Sequence, residues 1–226
     1  MMDEASTLPT AAVEDYAKAI YSLTGWGRQT ASTNDLAARL EVSPGSVSAM
    51  IKKLDDAGLV EHVPYHGVRL TADGARVALA VMRRHRLIEL FLAEVLDVPW
   101  ERVHDEAEVL EHALSEDLTV LISTKLGDPE FDPHGDPIPN RDLSLEEAET
   151  EALAGLETGT RATFVRVSDS RPEMLVYLSD CGIAVGDQLE LVERQPFEGP
   201  LSIVIADRTH VLGLKLAQAM RVVPFA

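Results

Sequence analysis

Hydrophobic positions recur every three or four residues through the first half of the chain and change to short alternating runs in the last third. Between Ala12 and Leu23 the apolar residues Val13, Tyr16, Ala17, Ile20, Tyr21 and Leu23 share one helical face, and Gly25 and Gly27 end the helix. Thr33 is expected to cap a second helix through Leu40, with Leu36, Ala37 and Leu40 inward. A turn over 41–45 leads into a third helix, Ser46 to Ala57, whose buried stripe is Val47, Met50, Ile51 and Leu54. Gly58 stops it. Two short strands follow, Leu59 to Val63 and Val68 to Thr71, joined through Pro64, Tyr65, His66 and Gly67. Helix, tight turn, helix and hairpin make a winged helix.

Beyond it the spacing predicts a long helix over Thr71–Leu96 and a second from Arg102 to about Thr124. The run GDPEFDPHGDPIPNRD, residues 127–142, holds four prolines and two glycines and precludes a continuous helix. LSLEEAETEALAGLE then reads as a short acidic helix or connecting segment. From Gly159 the period becomes that of strands: ATFVRVS, DQLELVERQPF, LSIVIADRTHVLG and MRVVPF, with helices around LVYLSDCGI and Leu214–Met220. Four or five short strands with turns suggest an SH3-like barrel. The expected architecture is therefore α+β: a winged helix-turn-helix over 1–72, a helical domain over 73–146, a linker over 147–158 and an SH3-like domain over 159–226.

The 226 residues are 46% hydrophobic, which supports packed cores and excludes wholesale disorder. Cys181 is the single cysteine, so neither an intramolecular disulfide nor a four-thiolate zinc site can form. No basic stretch precedes an apolar run and no span of about 18 uncharged apolar residues occurs, so a cytoplasmic, membrane-free protein is expected. The net charge of minus 18 is concentrated: residues 85–158 carry 20 acidic against 4 basic residues, whereas residues 1–84 carry 10 against 9. Phosphate contacts need local positive potential, so the near-neutral winged helix is the place for a double-stranded DNA surface. There the third helix offers Ser43, Ser46, Ser48 and Ala49 for phosphate and modest base-edge contact. Lys52 and Lys53 suit the backbone, and Arg69 on the wing suits an adjacent phosphate.

The acidic middle carries a second chemistry. His85 and Glu89 stand one helical turn apart, and His104, Glu108, Glu111 and His112 fall near about 0, 40, minus 20 and 80 degrees on one stripe. Packed together, such carboxylates repel and desolvate at high cost unless something neutralises them. A divalent cation does so with its ordinary ligands. Salt bridges, a solvated acidic face and a hydrolytic dinuclear metal site are the competing readings.

The ordered set VMRRHRLIELFL, VHDEAEVLEHALS and DPHGDPIP, behind a winged helix beginning VEDYAKAIYSL, resembles the diphtheria toxin repressor family of metal-dependent bacterial regulators, in its manganese-responsive branch. The resemblance spans nearly the whole chain. It implies a homodimer that binds operator DNA when metal is bound, Mn(II) as the cofactor with Fe(II) as the alternative, and a C-terminal SH3-like domain. Carried over by position, one metal site would comprise Asp15, Glu108, Glu111 and His112, and a second His85, Glu89 and His104. Asp169 and Glu173 are the nearest candidates for a further ligand from the SH3-like domain. Iron-responsive relatives have a methionine at the position of Asp15 and a cysteine at that of Glu108, and the two carboxylates here suit Mn(II). Some manganese-responsive relatives have a glutamate where this chain has Lys18.

Overall fold

A computed structural model describes residues 10–25, 29–63, 66–168 and 171–225. Gly27, Pro64, Tyr65 and Asp169 lie outside the described residues. The chain divides into two compact units, one extending to Arg84 and taking in Pro139–Leu145, the other holding His85–Ile138 and the chain from Glu146 onward.

In the first unit α1 (Ala11–Leu23), α2 (Thr33–Arg39) and α3 (Pro44–Asp56) precede a hairpin of β1 (Val60–Val63) and β2 (Gly67–Leu70). Ile20, Leu36, Val47 and Leu54 form the centre of its core, closed by Val60 and Val68 from the hairpin. The caps refine the expected boundaries. Ser32 rather than Thr33 caps α2, accepting the Asp35 N–H at 3.1 Å. Ser43 caps α3, which starts at Pro44, the residue whose missing N–H costs nothing at a helix start. Ala31 bridges to Val68 and makes a third short rung of the wing. Gly67 allows that approach: its φ is +107°, and a Cβ there would sit 2.1 Å from the Ala31 carbonyl oxygen.

Helix α4 (Ala72–Leu96) is the long predicted one, and the division between units falls within it. Its first half packs Ala78, Leu79 and Met82 with Ala17 and Tyr21 in the first unit. In the second unit Leu87 and Leu90 meet Ile122 and Ile138, and Ile88 and Leu92 meet Val103 and Ala107.

The helix expected from Arg102 to Thr124 is two helices, α5 (Val103–Leu110) and α6 (Glu116–Lys125). Ser115 breaks it: its hydroxyl accepts the Leu118 N–H at 3.3 Å, and Glu116 and Asp117 meet the positive end of the new helix dipole.

The segment 147–158, expected as a linker, is also different. It supplies β3 (Glu151–Ala152) and a 3-10 turn (Leu153–Gly155), and β3 pairs with β8 (Met220–Phe225) through Glu151 opposite Val222. Buried Leu153 and Leu156 join the C-terminal core. Between them run β4 (Arg161–Val167), α7 (Pro172–Cys181), β5 (Gln188–Arg194), β6 (Leu201–Ile205), β7 (Arg208–Leu212) and α8 (Leu214–Ala219). The strands form one antiparallel sheet in the order β3-β8-β4-β5-β6-β7, an SH3-like sheet open between β3 and β7 rather than a closed barrel. Phe164, Leu175, Leu178, Leu191, Leu201 and Ile203 fill it without exposure.

Candidate metal centre

His85 and Glu89 project from the middle of α4, both buried because the helix is covered on nearly every side there. His85 uses both ring nitrogens. Nε2 lies 2.9 Å from Glu89 Oε1 and 3.2 Å from His104 Nδ1, and Nδ1 lies 2.5 Å from Glu111 Oε2. His104, near the start of α5, also reaches Glu89 Oε1 at 3.3 Å and stands 3.7 Å from Glu108, one turn later on the same helix. Donor atoms of His85, His104 and Glu108 all fall within 4.8 Å of one another. Glu111 follows α5 as its C-cap in αR geometry, which keeps it on the helical path although α5 has ended. Its Oε1 is 3.4 Å from His112 Nε2.

The electrostatics single out the carboxylates. Glu89 is 1% and Glu111 0% exposed. Burial alone would raise the Glu89 carboxyl, but hydrogen bonds from His104 and His85 and the positive charge of nearby imidazoles outweigh it and hold Glu89 well below the usual carboxylate range. Glu89 is therefore an ionised oxygen donor facing two imidazoles. Glu89, His85 and His104 could hold a divalent cation there, supplying it with carboxylate and imidazole lone pairs.

A second group was not assigned from the sequence. The turn at Asp132–Gly135 places Asp132 and His134, both buried, beside Glu89, with donor atoms of the three within 4.8 Å of one another. Desolvation pushes the Asp132 carboxyl well up, aided by the charges of Asp136 and Glu89, against the pull of Arg86 and an N–H donated by Asp136. The sequence signal was an Asp-x-His spacing inside a proline-rich loop, but a loop discloses no partners.

Of the other expected ligands, Asp15 lies half-buried on α1 in the first unit, and Glu173 is exposed in the first turn of α7. Glu173 belongs to no donor group among the described residues.

The expected DNA-facing residues all lie on exposed surface. Several of their polar groups already have work within the unit. Ser43 Oγ accepts the Ser46 N–H at 3.1 Å, and the Ser48 hydroxyl donates to the Pro44 carbonyl at 3.0 Å. Arg69 is paired with Glu61 at 2.7 Å. Ser46, Ala49, Lys52 and Lys53 present the open face of α3. Ser43→Ala is accordingly expected to cost about 1 kcal/mol of stability through loss of the cap, read as a lowered urea midpoint. An unchanged midpoint would show that the hydroxyl does not cap α3.

Three family models match the chain in succession: the iron dependent repressor N-terminal DNA binding domain over residues 10–68, the iron dependent repressor metal binding and dimerisation domain over 71–140, and the FeoA domain over 152–224. The chain is 31% identical over 222 residues to the iron-dependent repressor IdeR of Mycobacterium leprae, covering 92% of this chain and 95% of that protein. With the diphtheria toxin repressor of Corynebacterium efficiens it shares 30% over 193 residues, 80% of this chain and 83% of that one. The chain belongs to the diphtheria toxin repressor family.

This family comprises metal-dependent transcriptional repressors rather than enzymes, so the hydrolytic reading of the same residues falls away. The solved structure of a manganese-dependent transcriptional repressor in complex with manganese superimposes with a TM-score of 0.87 at 42% identity, covering 94% of this chain and all of that one. Relatives of this member of the diphtheria toxin repressor family thus include both iron-dependent and manganese-dependent proteins.

Proposed function

We propose that this repressor is activated by Mn(II) and binds double-stranded operator DNA as a homodimer in the cytoplasm. The donor set carries the reading. His85, Glu89, His104, Glu108 and Glu111 converge in the second unit with nitrogen and oxygen atoms alone, and such a set suits Mn(II) better than thiophilic ions. Cys181, the one thiol, lies on α7. Fe(II) accepts similar donors and is the rival ion. His85, Glu89 and His104 form one site, and Glu108, Glu111 and His112 the larger part of the other. Asp15 enters the latter set from the sequence, and its ligation from the first helix of the winged unit would couple DNA reading to metal capture. The ion supplies positive charge where the chain has buried carboxylates. The protein's part is to hold those side chains in place before the ion arrives.

Coupling between metal and DNA of about 1 to 3 kcal/mol corresponds to a several-fold to hundred-fold gain in operator affinity. Isothermal titration with Mn(II), Fe(II), Zn(II) and Co(II), followed by anisotropy of an in vitro selected duplex at fixed salt and matched free metal, tests the choice of ion. Stimulation by Mn(II) at micromolar free concentration is expected. Stimulation by Fe(II) alone would replace manganese with iron.

The second unit supports a homodimer. Val109, Leu110, Leu118 and Leu121 of α5 and α6 stand 73%, 41%, 46% and 64% exposed, with Val95 and Leu96 at the end of α4 also exposed. Large apolar side chains left exposed on surface helices are what an association face is made of. Leu121→Glu is expected to shift the protein to monomer in sedimentation velocity at micromolar concentration and to weaken operator binding at least tenfold. An unaltered dimer would place the interface elsewhere.

A further inference from the structure

Three arginines flank His85 in the run RRHR, and each holds a different piece of chain. Arg83, buried, donates through Nη1 to the Pro139 carbonyl oxygen at 2.6 Å. Arg84 donates through Nη2 to Glu14 Oε1 at 2.5 Å, the two side chains being 13% and 12% exposed. Arg86 donates to the Pro137 carbonyl oxygen at 2.5 Å. The contacts of Arg83 and Arg84 lie inside the first unit, and that of Arg84 falls on α1, the opening helix of the winged fold.

The apolar contact of α1 with α4 leaves their register open. Ala17 and Tyr21 of α1 meet Ala78, Leu79 and Met82 of α4, and Leu143 and Leu145 from the returning segment Pro139–Leu145 pack against the same cluster. Apolar burial is non-directional: it holds two helices together without fixing how far one has slid or turned against the other. A guanidinium on a carboxylate does fix it, because that bond depends on angle as well as distance. Glu14 stands in the first turn of α1, ahead of Ala17, so the pair pins the end of the helix that precedes the apolar contact. Sheltered from water to this degree, it is screened far less than an exposed ion pair.

We propose that the Glu14–Arg84 pair is a positioning lock between the DNA-reading helices and the helix that carries His85, and that metal capture reaches the operator through it. Arg84 and His85 are consecutive residues of one helix, α4, so a shift of α4 that accompanies capture of an ion at His85 is delivered to Arg84, and by Arg84 to α1. Glu14 and Asp15 point about 100 degrees apart on α1, so Glu14 sets where the helix lies and Asp15 is left for the ion. The inference rests on His85 as a metal ligand and is indifferent to which ion is bound.

A double-mutant cycle on the full-length protein tests the lock. Affinity for a selected duplex is measured by fluorescence anisotropy without metal and at saturating Mn(II) or, anaerobically, Fe(II), and the ratio of the two affinities is the readout. Glu14→Gln and Arg84→Gln are each expected to lower that ratio about tenfold while metal-free DNA affinity stays within about twofold of the parent. The double variant is expected to lose no more than either single one, because both remove the same bond. Arg84→Lys, which keeps the charge, is expected to recover part of the ratio.

Losses that multiply in the double variant overturn the proposal, since the two residues would then act apart. So does an unchanged ratio beside a lowered urea midpoint, the result of a bond that only braces the fold. The reading of His85 as a ligand fails separately, by full metal stimulation of His85→Ala. A parent that answers to Fe(II) and ignores Mn(II) removes the manganese reading alone, and the cycle then decides the lock from the Fe(II) ratio.

Discussion

His85→Ala is expected to abolish the metal response, lowering Mn(II)-stimulated operator affinity about a hundredfold, the upper end of ordinary coupling. The effect is large because His85 is the residue whose two nitrogens meet two different buried carboxylates, Glu89 at 2.9 Å and Glu111 at 2.5 Å. Truncation removes a ligand and leaves those acids without their shared partner. Breaking a buried pair by deleting one side costs about 3 to 5 kcal/mol, so the metal-free variant should also unfold at lower urea.

The pH dependence has a definite sign. Glu89 is held below its ordinary value of 4.5, so it contributes stability above that pH, which is lost as the pH falls through its lowered folded value. His85→Ala should flatten this acid limb. His104→Ala should do less, since its side chain is 29% exposed and water replaces part of what it supplies. Retention of full Mn(II) stimulation by His85→Ala would remove His85 from the sensor.

Phe164→Ala is expected to cost about 3 to 5 kcal/mol in urea unfolding of the second unit. Phe164 is fully buried on β4, opposite Val222 of β8. Its removal leaves a void in the core that also holds Leu175 and Leu178 of α7 and Leu191 of β5, which would have to fill it. The consequence reaches the metal region by a specific route. The Val167 N–H of β4 donates to the His134 carbonyl at 3.0 Å, so loosening β4 should also loosen the turn that carries His134 beside Glu89. A loss of less than about 1 kcal/mol would show that the sheet repacks around the gap.

Where local patterns decide structure, the sequence was readable. The winged unit follows from stripes of apolar residues and two turn glycines, Gly58 and Gly67, that local chemistry makes conspicuous. His85 and Glu89 were legible because a spacing of four on a helix puts two donors together whatever surrounds them. Glu111 and His112 were read as continuing the stripe of His104 and Glu108 on one helix, whereas α5 ends at Leu110 and Glu111 follows as its C-cap. The apolar period runs on through residues 111–114, but the Ser115 cap restarts the helix, and only the αR geometry at Glu111 preserves the face.

Non-local decisions were not legible. Acidic LSLEEAETEALAGLE reads as a short helix or a connecting segment, yet Glu151 and Ala152 become a strand because β8, some seventy residues later, offers them an edge. Asp132 and His134 sit in a loop whose meaning depends on Glu89 and Trp100, and no spacing within the loop reveals that.

The central claim is that capture of an ion by this nitrogen and oxygen donor set strengthens the grip on DNA. The direct measurement is fluorescence anisotropy of a selected duplex titrated with the full chain at fixed salt, once with saturating Mn(II) and once after exhaustive chelation. The account predicts Kd values separated by at least tenfold with manganese the tighter, a gap that closes in His85→Ala. Superimposable curves with and without the ion would contradict it.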